Sequence, residues 1–213
     1  MSFDCPIDDS FYKVKSPMIG IYNVSNCLAA LSTCVKGLGI PPEKAVAALA
    51  TQKTVPGRME RIDLGQNFTA IVDFAHTPNA LAVSLETART LTQGKVIAVF
   101  GSAGLRDREK RKMMPVESIR RADMSILTAE DPRTESLDAI LQGRADAAVA
   151  GGGVEGQKLL RVADRGDAIR KAIALAQPGD LVISLGKGHE QSMCFITTEY
   201  DWDDRTAMRA ALA

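Results

Sequence analysis

The chain has 213 residues, 46% hydrophobic and 24% charged, ordinary globular proportions that exclude disorder, collagen-like repeats and coiled coil as a description of the whole. Its 26 Lys and Arg balance 26 Asp and Glu, so no global field holds it to nucleic acid or an anionic membrane, although a local anion site stays open. No apolar run approaches the roughly 18 to 20 residues that cross a bilayer, and the N-terminus lacks a basic segment followed by an apolar one; a cytoplasmic protein with no nucleic-acid and no membrane partner is expected.

Cys5, Cys27, Cys34 and Cys194 form no Cys-x-x-Cys pair, and the histidines are His76 and His189 alone. Neither a zinc site nor a disulfide framework has the spacing it needs, so reduced thiols are expected, with Cys27 and Cys34 on one helix face.

The first 18 or so residues show no clear period and contain Pro6 and Pro17, which predicts an irregular lead-in. Asn23 to Lys36 is rich in Leu, Ala and Val and stops at Gly37, as a helix with a glycine C-cap does. Pro41-Pro42-Glu43 opens a second short helix with Ala45, Ala48 and Leu49 on one face. After Val55-Pro56-Gly57 the pattern changes. Met59 to Leu64 and Phe68 to Asp73 flank Gly65-Gln66-Asn67 as a hairpin, and the apolar runs Val96 to Phe100, Met124 to Leu127 and Leu181 to Leu185 follow, with a weaker strand near Leu159 to Val162. Helical periods lie between them, as at Leu81, Leu85, Ala88 and at Ala168, Ile169, Ala172, Ile173, Ala176; a last strand near Phe195 to Thr198 and a helix from Asp204 close the chain. Near-continuous apolar strands alternating with amphipathic helices predict an α/β fold, a mainly parallel sheet covered on both faces, from about Gly57 onward.

In open α/β sheets ligands bind beyond the carboxyl ends of the strands, where helix N-termini also point. The polar clusters of this chain fall there: Asp73-Phe74-Ala75-His76-Thr77-Pro78, Gly101 to Asp107, Thr128 to Arg133 and Gly186-Lys187-Gly188-His189-Glu190. Strand-to-helix turns favour Gly, Asp and Pro for geometry alone, so each cluster is weak evidence and their joint position is stronger. It suggests one site for a zwitterionic ligand. Arg133, after a proline, could present its guanidinium to a carboxylate or pair with a neighbouring acid; Glu190 could accept an ammonium or cap a turn; His76 could meet a phosphate or ribose or serve structure alone. Gly151 to Lys158 spaces glycines like a phosphate-binding loop, but Gln157 precedes the lysine, no Ser or Thr follows it, and Leu159-Leu160 stands where a helix should open. Neither Gly101-x-x-Gly104 nor Gly186-x-Gly188 completes a dinucleotide fingerprint.

Taken together the motifs resemble the Mur ligases, and among them those that add the third peptide residue in peptidoglycan synthesis. Asn23 to Ala30 looks like the family's late central-domain helix, Val55 to Glu60 like its interdomain junction, and Asp73 to Pro78 is similar to its Asp-Tyr-Ala-His-x-Pro motif; Gly186 to Glu190 matches Gly-Lys-Gly-His-Glu without change. The resemblance covers about Gly20 to Arg205 and implies a short helical stub of a central ATPase domain over residues 1–56, then a C-terminal Rossmann-like amino-acid-binding domain over 57–213. It implies an ATP-dependent amide ligase, with Mg2+, joining meso-diaminopimelate or lysine to UDP-N-acetylmuramoyl-L-alanyl-D-glutamate through an acyl phosphate. Asn23, Asn26, Arg58, Asp73 and His76 would then contact ATP, and Arg106, Asp131, Arg133, Gly186 and Glu190 would hold the incoming amino acid. The phosphate-binding loop, the metal ligands and the UDP domain would lie upstream, and the chain alone would be inactive.

Two departures bear on the amino acid. The family's Asp-Asn-Pro-Arg box reads Glu130-Asp131-Pro132-Arg133, placing a carboxylate where an amide stands, and the Gly-x-Gly-Gly-Asp-Arg-Asp loop reads Gly101 to Asp107 with one glycine and one acid lost. A second negative charge there would repel a ligand carboxylate and strengthen the hold on an ammonium. Cyanophycin and folylpolyglutamate synthetases, or a binding module that lost the chemistry, are the other readings.

Overall fold

The computed structural model describes residues 1–213, which form two compact units, Met1–Val55 and Pro56–Ala213. The first opens on a hairpin, β1 (Ser2–Ile7) and β2 (Ser10–Lys15), paired antiparallel from Ser2 opposite Lys15 to Ile7 opposite Ser10. An irregular lead-in is therefore wrong for this segment. Pro6 is tolerated because in a two-stranded ribbon both strands are edges, so its missing N–H costs no central ladder bond. Asp8, at φ 52°, takes the left-handed turn position that Asp adopts more readily than most residues.

Helix α1 (Tyr22–Ser32) runs into a π-helical turn over Thr33–Gly37, so Gly37 lies inside helical structure and is not the cap; Gly39, at φ 66°, makes the left-handed turn instead. Pro42 opens α2 (Pro42–Thr51) at a first-turn position where its missing N–H is harmless. Cys5, Ile7, Val14, Cys27, Leu31, Ala45 and Leu49 make the core of this unit. Ala48, expected on the buried face, is exposed. All four cysteines are free thiols.

The second unit is a six-stranded sheet in the order β3-β4-β8-β5-β6-β7, flanked by helices. The strands are β3 (Glu60–Ile62), β4 (Thr69–Asp73), β5 (Val96–Phe100), β6 (Met124–Leu127), β7 (Leu159–Arg161) and β8 (Leu181–Leu185), and only the β3–β4 pair is antiparallel. The expected α/β fold with a mainly parallel, Rossmann-like sheet is what forms. The helices are α3 (Pro78–Thr90), α4 (Arg108–Arg121), α5 (Leu137–Ala150), α6 (Arg165–Leu175) and α7 (Asp204–Leu212). On one face Ala168, Ile169, Ala172 and Met208 from α6 and α7 pack on Ala70, Val72, Ile97, Val99, Ile126 and Val182. Each fully buried aliphatic side chain there contributes roughly 1.5 to 3 kcal/mol. On the other face α3 and α4 pack together, as do α4 and α5, and the hydroxyls of Ser118 and Ser125 meet at 2.7 Å between α4 and β6. No helix is long and apolar enough to cross a membrane.

A further hairpin, β9 (Ser192–Phe195) and β10 (Thr198–Asp201), follows β8. The strand expected over Phe195 to Thr198 is in fact its tip, where Ile196 turns at φ 59°. Strand β7 begins at Leu159, so the Gly151 to Lys158 segment is a helix-to-strand connection.

Candidate functional site

The parallel order puts β4, β8, β5 and β6 side by side, so their four carboxyl-end loops meet around one cleft of about 450 Å³. His76, Arg106, Asp131, Arg133, Gly186 and Glu190 all line it, as do Lys110, Arg111 and Glu130.

The loops after β5 and β6 interlock. Gly104 donates its N–H to the carbonyl of Asp131 at 2.8 Å, and a Cβ at Gly104 would lie 1.9 Å from the carbonyl oxygen of Pro132. Only glycine permits that approach. Asp131 and Arg133 sit at φ 40° and 52°, two left-handed non-glycine residues in one short loop, a conformation that persists only where the surroundings enforce it. The enforcing contacts come from β9 and its tip: Arg133 N–H donates to the carbonyl of Cys194 at 3.1 Å, and its carbonyl accepts from Ile196 N–H at 2.8 Å. The amide of Cys194 donates to Oδ1 of Asp131 at 2.9 Å.

Arg133 therefore has a fixed backbone and an uncommitted head. Its guanidinium donates to the carbonyl of Gly104 at 3.1 Å and pairs with no acid. The ion pair with a neighbouring acid, one of the two arrangements open to this arginine from the sequence, does not form. Arg106 is exposed on the same cleft with no ion-pair partner.

The acidic wall is built differently from what the sequence suggests. Lys187, 2% exposed, places Nζ 3.1 and 3.0 Å from the two carboxylate oxygens of Asp131 and 2.7 Å from Oε2 of Glu190. Burial alone would push its pKa down, but its bonds to Glu190 and Asp131 outweigh that and hold it above the ordinary lysine value. The carboxylate of Asp131 is thus engaged by this chain's own ammonium.

Glu130, buried, lies beneath Gly186: a Cβ on Gly186, which is at φ 110°, would meet Oε2 of Glu130 at 2.1 Å. That oxygen has no hydrogen-bond partner. Burial raises the Glu130 pKa, opposed by the charges of Arg165, Arg144 and Lys187. Under the same floor Arg165, fully buried, donates to the carbonyls of Ala129 at 3.2 Å and Leu185 at 2.8 Å, the residues that precede Glu130 and Gly186. Asp204 anchors it through bonds of 2.7 and 2.6 Å. Sequence reasoning named neither Lys187, Glu130 nor Arg165 as site residues; the unbroken Gly-Lys-Gly-His-Glu match was the one available signal for the lysine.

The residues expected to meet a nucleotide are distributed. In the second unit the Arg58 guanidinium stacks 4.4 Å over the Phe74 ring, and His76, exposed, packs on that ring at 4.6 Å with Nδ1 donating to the Phe74 carbonyl at 3.0 Å. Asp73 is spent on its own chain: Met59 N–H and the Ser84 hydroxyl donate to it at 2.9 and 2.7 Å, with a longer contact from Ala75 N–H. In the first unit Asn23 donates to the carbonyl of Ile19 at 2.7 Å, and Asn26, on the next turn, donates to Asn23 at 2.8 Å. No three His, Cys, Asp or Glu side chains gather in a metal-binding arrangement.

Residues 57–188 match the family described as Mur ligase, glutamate ligase domain. A UDP-N-acetylmuramyl-tripeptide synthetase from Roseiflexus sp. is 48% identical over 92% of this chain and 38% of its own length. A UDP-N-acetylmuramoyl-L-alanyl-D-glutamate–2,6-diaminopimelate ligase from Geobacillus kaustophilus is 42% identical over 93% of this chain and 40% of its own length. The chain thus spans about two fifths of the curated relatives it matches. A solved structure of a ligase with the same diaminopimelate-adding name aligns over 99% of this chain and 42% of that chain, with 32% identity and a TM-score of 0.70. A folylpolyglutamate synthase from Mycobacterium tuberculosis, 18% identical with a TM-score of 0.66, shares the fold. With the motif-bearing loops gathered at one sheet edge and the family match running through them, the chain belongs to the Mur ligase family.

Proposed function

We propose that this chain supplies the amino-acid-binding part of an ATP-dependent ligase that adds meso-diaminopimelate to UDP-N-acetylmuramoyl-L-alanyl-D-glutamate in the cytoplasm. The observation that carries the reading is Arg133, an arginine with a pinned backbone, no acidic partner and a place in the cleft wall. A guanidinium so placed suits a carboxylate, and it is matched across the loops by acids suited to an ammonium. Meso-diaminopimelate carries both groups at each end, whereas the distal end of lysine offers Arg133 nothing.

In this reading Arg133, with Arg106, binds the distal carboxylate. Glu190 accepts the neighbouring ammonium, and Gly186 makes room for the Glu130 carboxyl beneath it because no Cβ stands there. Asp131 positions Lys187 and the β9 strand. Holding the far end of the amino acid leaves its other amine to attack, which is catalysis by positioning. ATP supplies activation of the acceptor carboxylate. Arg58 and His76, both packed on the Phe74 ring, keep donors suited to phosphate or ribose, and Asn23 and Asn26 are further candidates in the first unit. Asp73 fits that role poorly and acts by fixing the backbone of Met59. No step is assigned to a metal on this chain.

The test is a ligation assay with the remaining domains present. Arg133→Ala should weaken use of diaminopimelate by roughly 2 to 5 kcal/mol, the range for removing one partner of a buried charge pair, and leave lysine little changed. The deciding quantity is the ratio of kcat/KM for the two amino acids, because a folding defect lowers both together. An unchanged ratio defeats the carboxylate-clamp assignment.

A further inference from the structure

Lys187 is the odd member of the cleft wall. Asp131 and Glu190 are the two acids beside Arg133, and a ligand ammonium would be expected between them; the ammonium of Lys187 already occupies that place. It is not a surface lysine swung inward. At 2% exposure its stem is packed in the fold, and its head is held by carboxylates from two different strand-end loops. A ligand could displace it only by opening both loops. Its charge is therefore a permanent part of the site.

That charge changes what the wall attracts. Without it, Asp131 and Glu190 would stand together with no ammonium between them, and that part of the wall would favour bare cations. With it, one carboxylate is cancelled, and what remains opposite Arg133 is balanced for a head group carrying one ammonium and one carboxylate. Glu190 is the acid left available, since its side chain is 42% exposed while that of Asp131 is 17% exposed. Also around the cleft are Glu130 beneath Gly186, with Arg144 and Arg165 under it, and Arg106, Asp107, Lys110 and Arg111 from the loop after β5 and the start of α4; none of these ion-pairs with Lys187.

We infer that Lys187 is a specificity-determining residue: by neutralising Asp131 it makes the cleft select a zwitterionic head over a bare ammonium. The inference rests on the reading of this cleft as an amino-acid site. It also gives the Asp131 departure a reason, since the acid and the buried lysine form one unit and the lysine does not depend on Glu190 alone for its counter-charge.

The experiment is calorimetric titration of the full 213-residue chain with two probes, meso-diaminopimelate and cadaverine, the latter having ammonium groups and no carboxylate. The unaltered chain should prefer diaminopimelate. Lys187→Met should lower the diaminopimelate-to-cadaverine affinity ratio by about tenfold or more, chiefly by strengthening cadaverine, and Lys187→Arg should restore it to within about threefold. If Lys187→Met weakens both probes equally, Lys187 is only structural and the inference is overturned. If the unaltered chain binds neither probe, the amino-acid reading itself fails, a result distinct from the first. Should Lys187→Met not fold, NMR of the lysine ammonium groups in the unaltered chain decides: the Lys187 signal should stay protected from exchange when diaminopimelate is added. Loss of that protection would mean the ligand displaces the lysine, which also overturns the inference.

Discussion

Asp131 accepts from both Lys187 and the amide of Cys194, so its effect on a ligand cannot be judged from its charge alone. From the sequence, the acid was expected to repel a ligand carboxylate and to strengthen the hold on an ammonium. The contacts give it a structural part as well. Asp131→Asn would turn an amide nitrogen or a weaker acceptor toward a buried ammonium and loosen the loop that carries Arg133. Destabilisation of roughly 1 to 3 kcal/mol is expected, short of the figure for a fully orphaned buried charge because Glu190 remains. Diaminopimelate affinity should fall, not rise, and denaturant unfolding beside calorimetry on the same variant checks both. Arg133, Asp131 and Glu190 were legible in the sequence because each stands at a fixed place in a short motif. Lys187 was not, because its role depends on a partner 56 residues away. Glu130 and Arg165 were missed for the same reason: burial and long-range pairing leave no local pattern.

The cleft loops are held to one another by a clip as well as by hydrogen bonds along the backbone. Glu135, between β6 and α5, takes both terminal nitrogens of Arg111 on α4, at 2.8 and 2.7 Å, and also accepts the N–H of Leu105, which sits at φ 55° in the loop after β5. The Arg111 hydrogen bonds, then that from Leu105, pull the Glu135 pKa from 4.5 to about 2. A depressed acid contributes stability that is present above its unfolded value and lost as pH falls through its folded value. The contribution of this clip should therefore be complete above about pH 4.5 and vanish toward pH 2. Urea unfolding of the unaltered chain and of Glu135→Gln across that range should show the two stabilities converging as pH drops. A gap that does not change with pH would mean the clip contributes nothing through its charge.

Strands β5, β6 and β8 were legible residue for residue because central parallel strands bury both faces and so appear as unbroken apolar runs. The β3–β4 hairpin was legible from the turn residues between its strands, but the β1–β2 and β9–β10 hairpins were not. β1 carries its alternation through Pro6, and the tip of the β9–β10 hairpin is apolar, with Ile196 70% exposed, so a turn resembled a strand.

At the scale of the molecule, a chain with equal numbers of acids and bases concentrates its charge chemistry at one edge of one sheet. The order of the strands is what does this. Placing β8 between β4 and β5 brings the Gly186 to Glu190 loop between the other motif-bearing loops, although it follows them by many residues in sequence. Under the proposed function these loops, at the carboxyl ends of neighbouring strands, form an amino-acid site. The most direct measurement is NMR-detected titration of meso-diaminopimelate into the chain, with backbone amides assigned. Saturable shifts confined to Gly101 to Asp107, Glu130 to Arg133 and Gly186 to Glu190, and lost in Arg133→Ala, are the predicted result. Absence of saturable binding, or shifts centred away from those loops, would rule out an amino-acid site there.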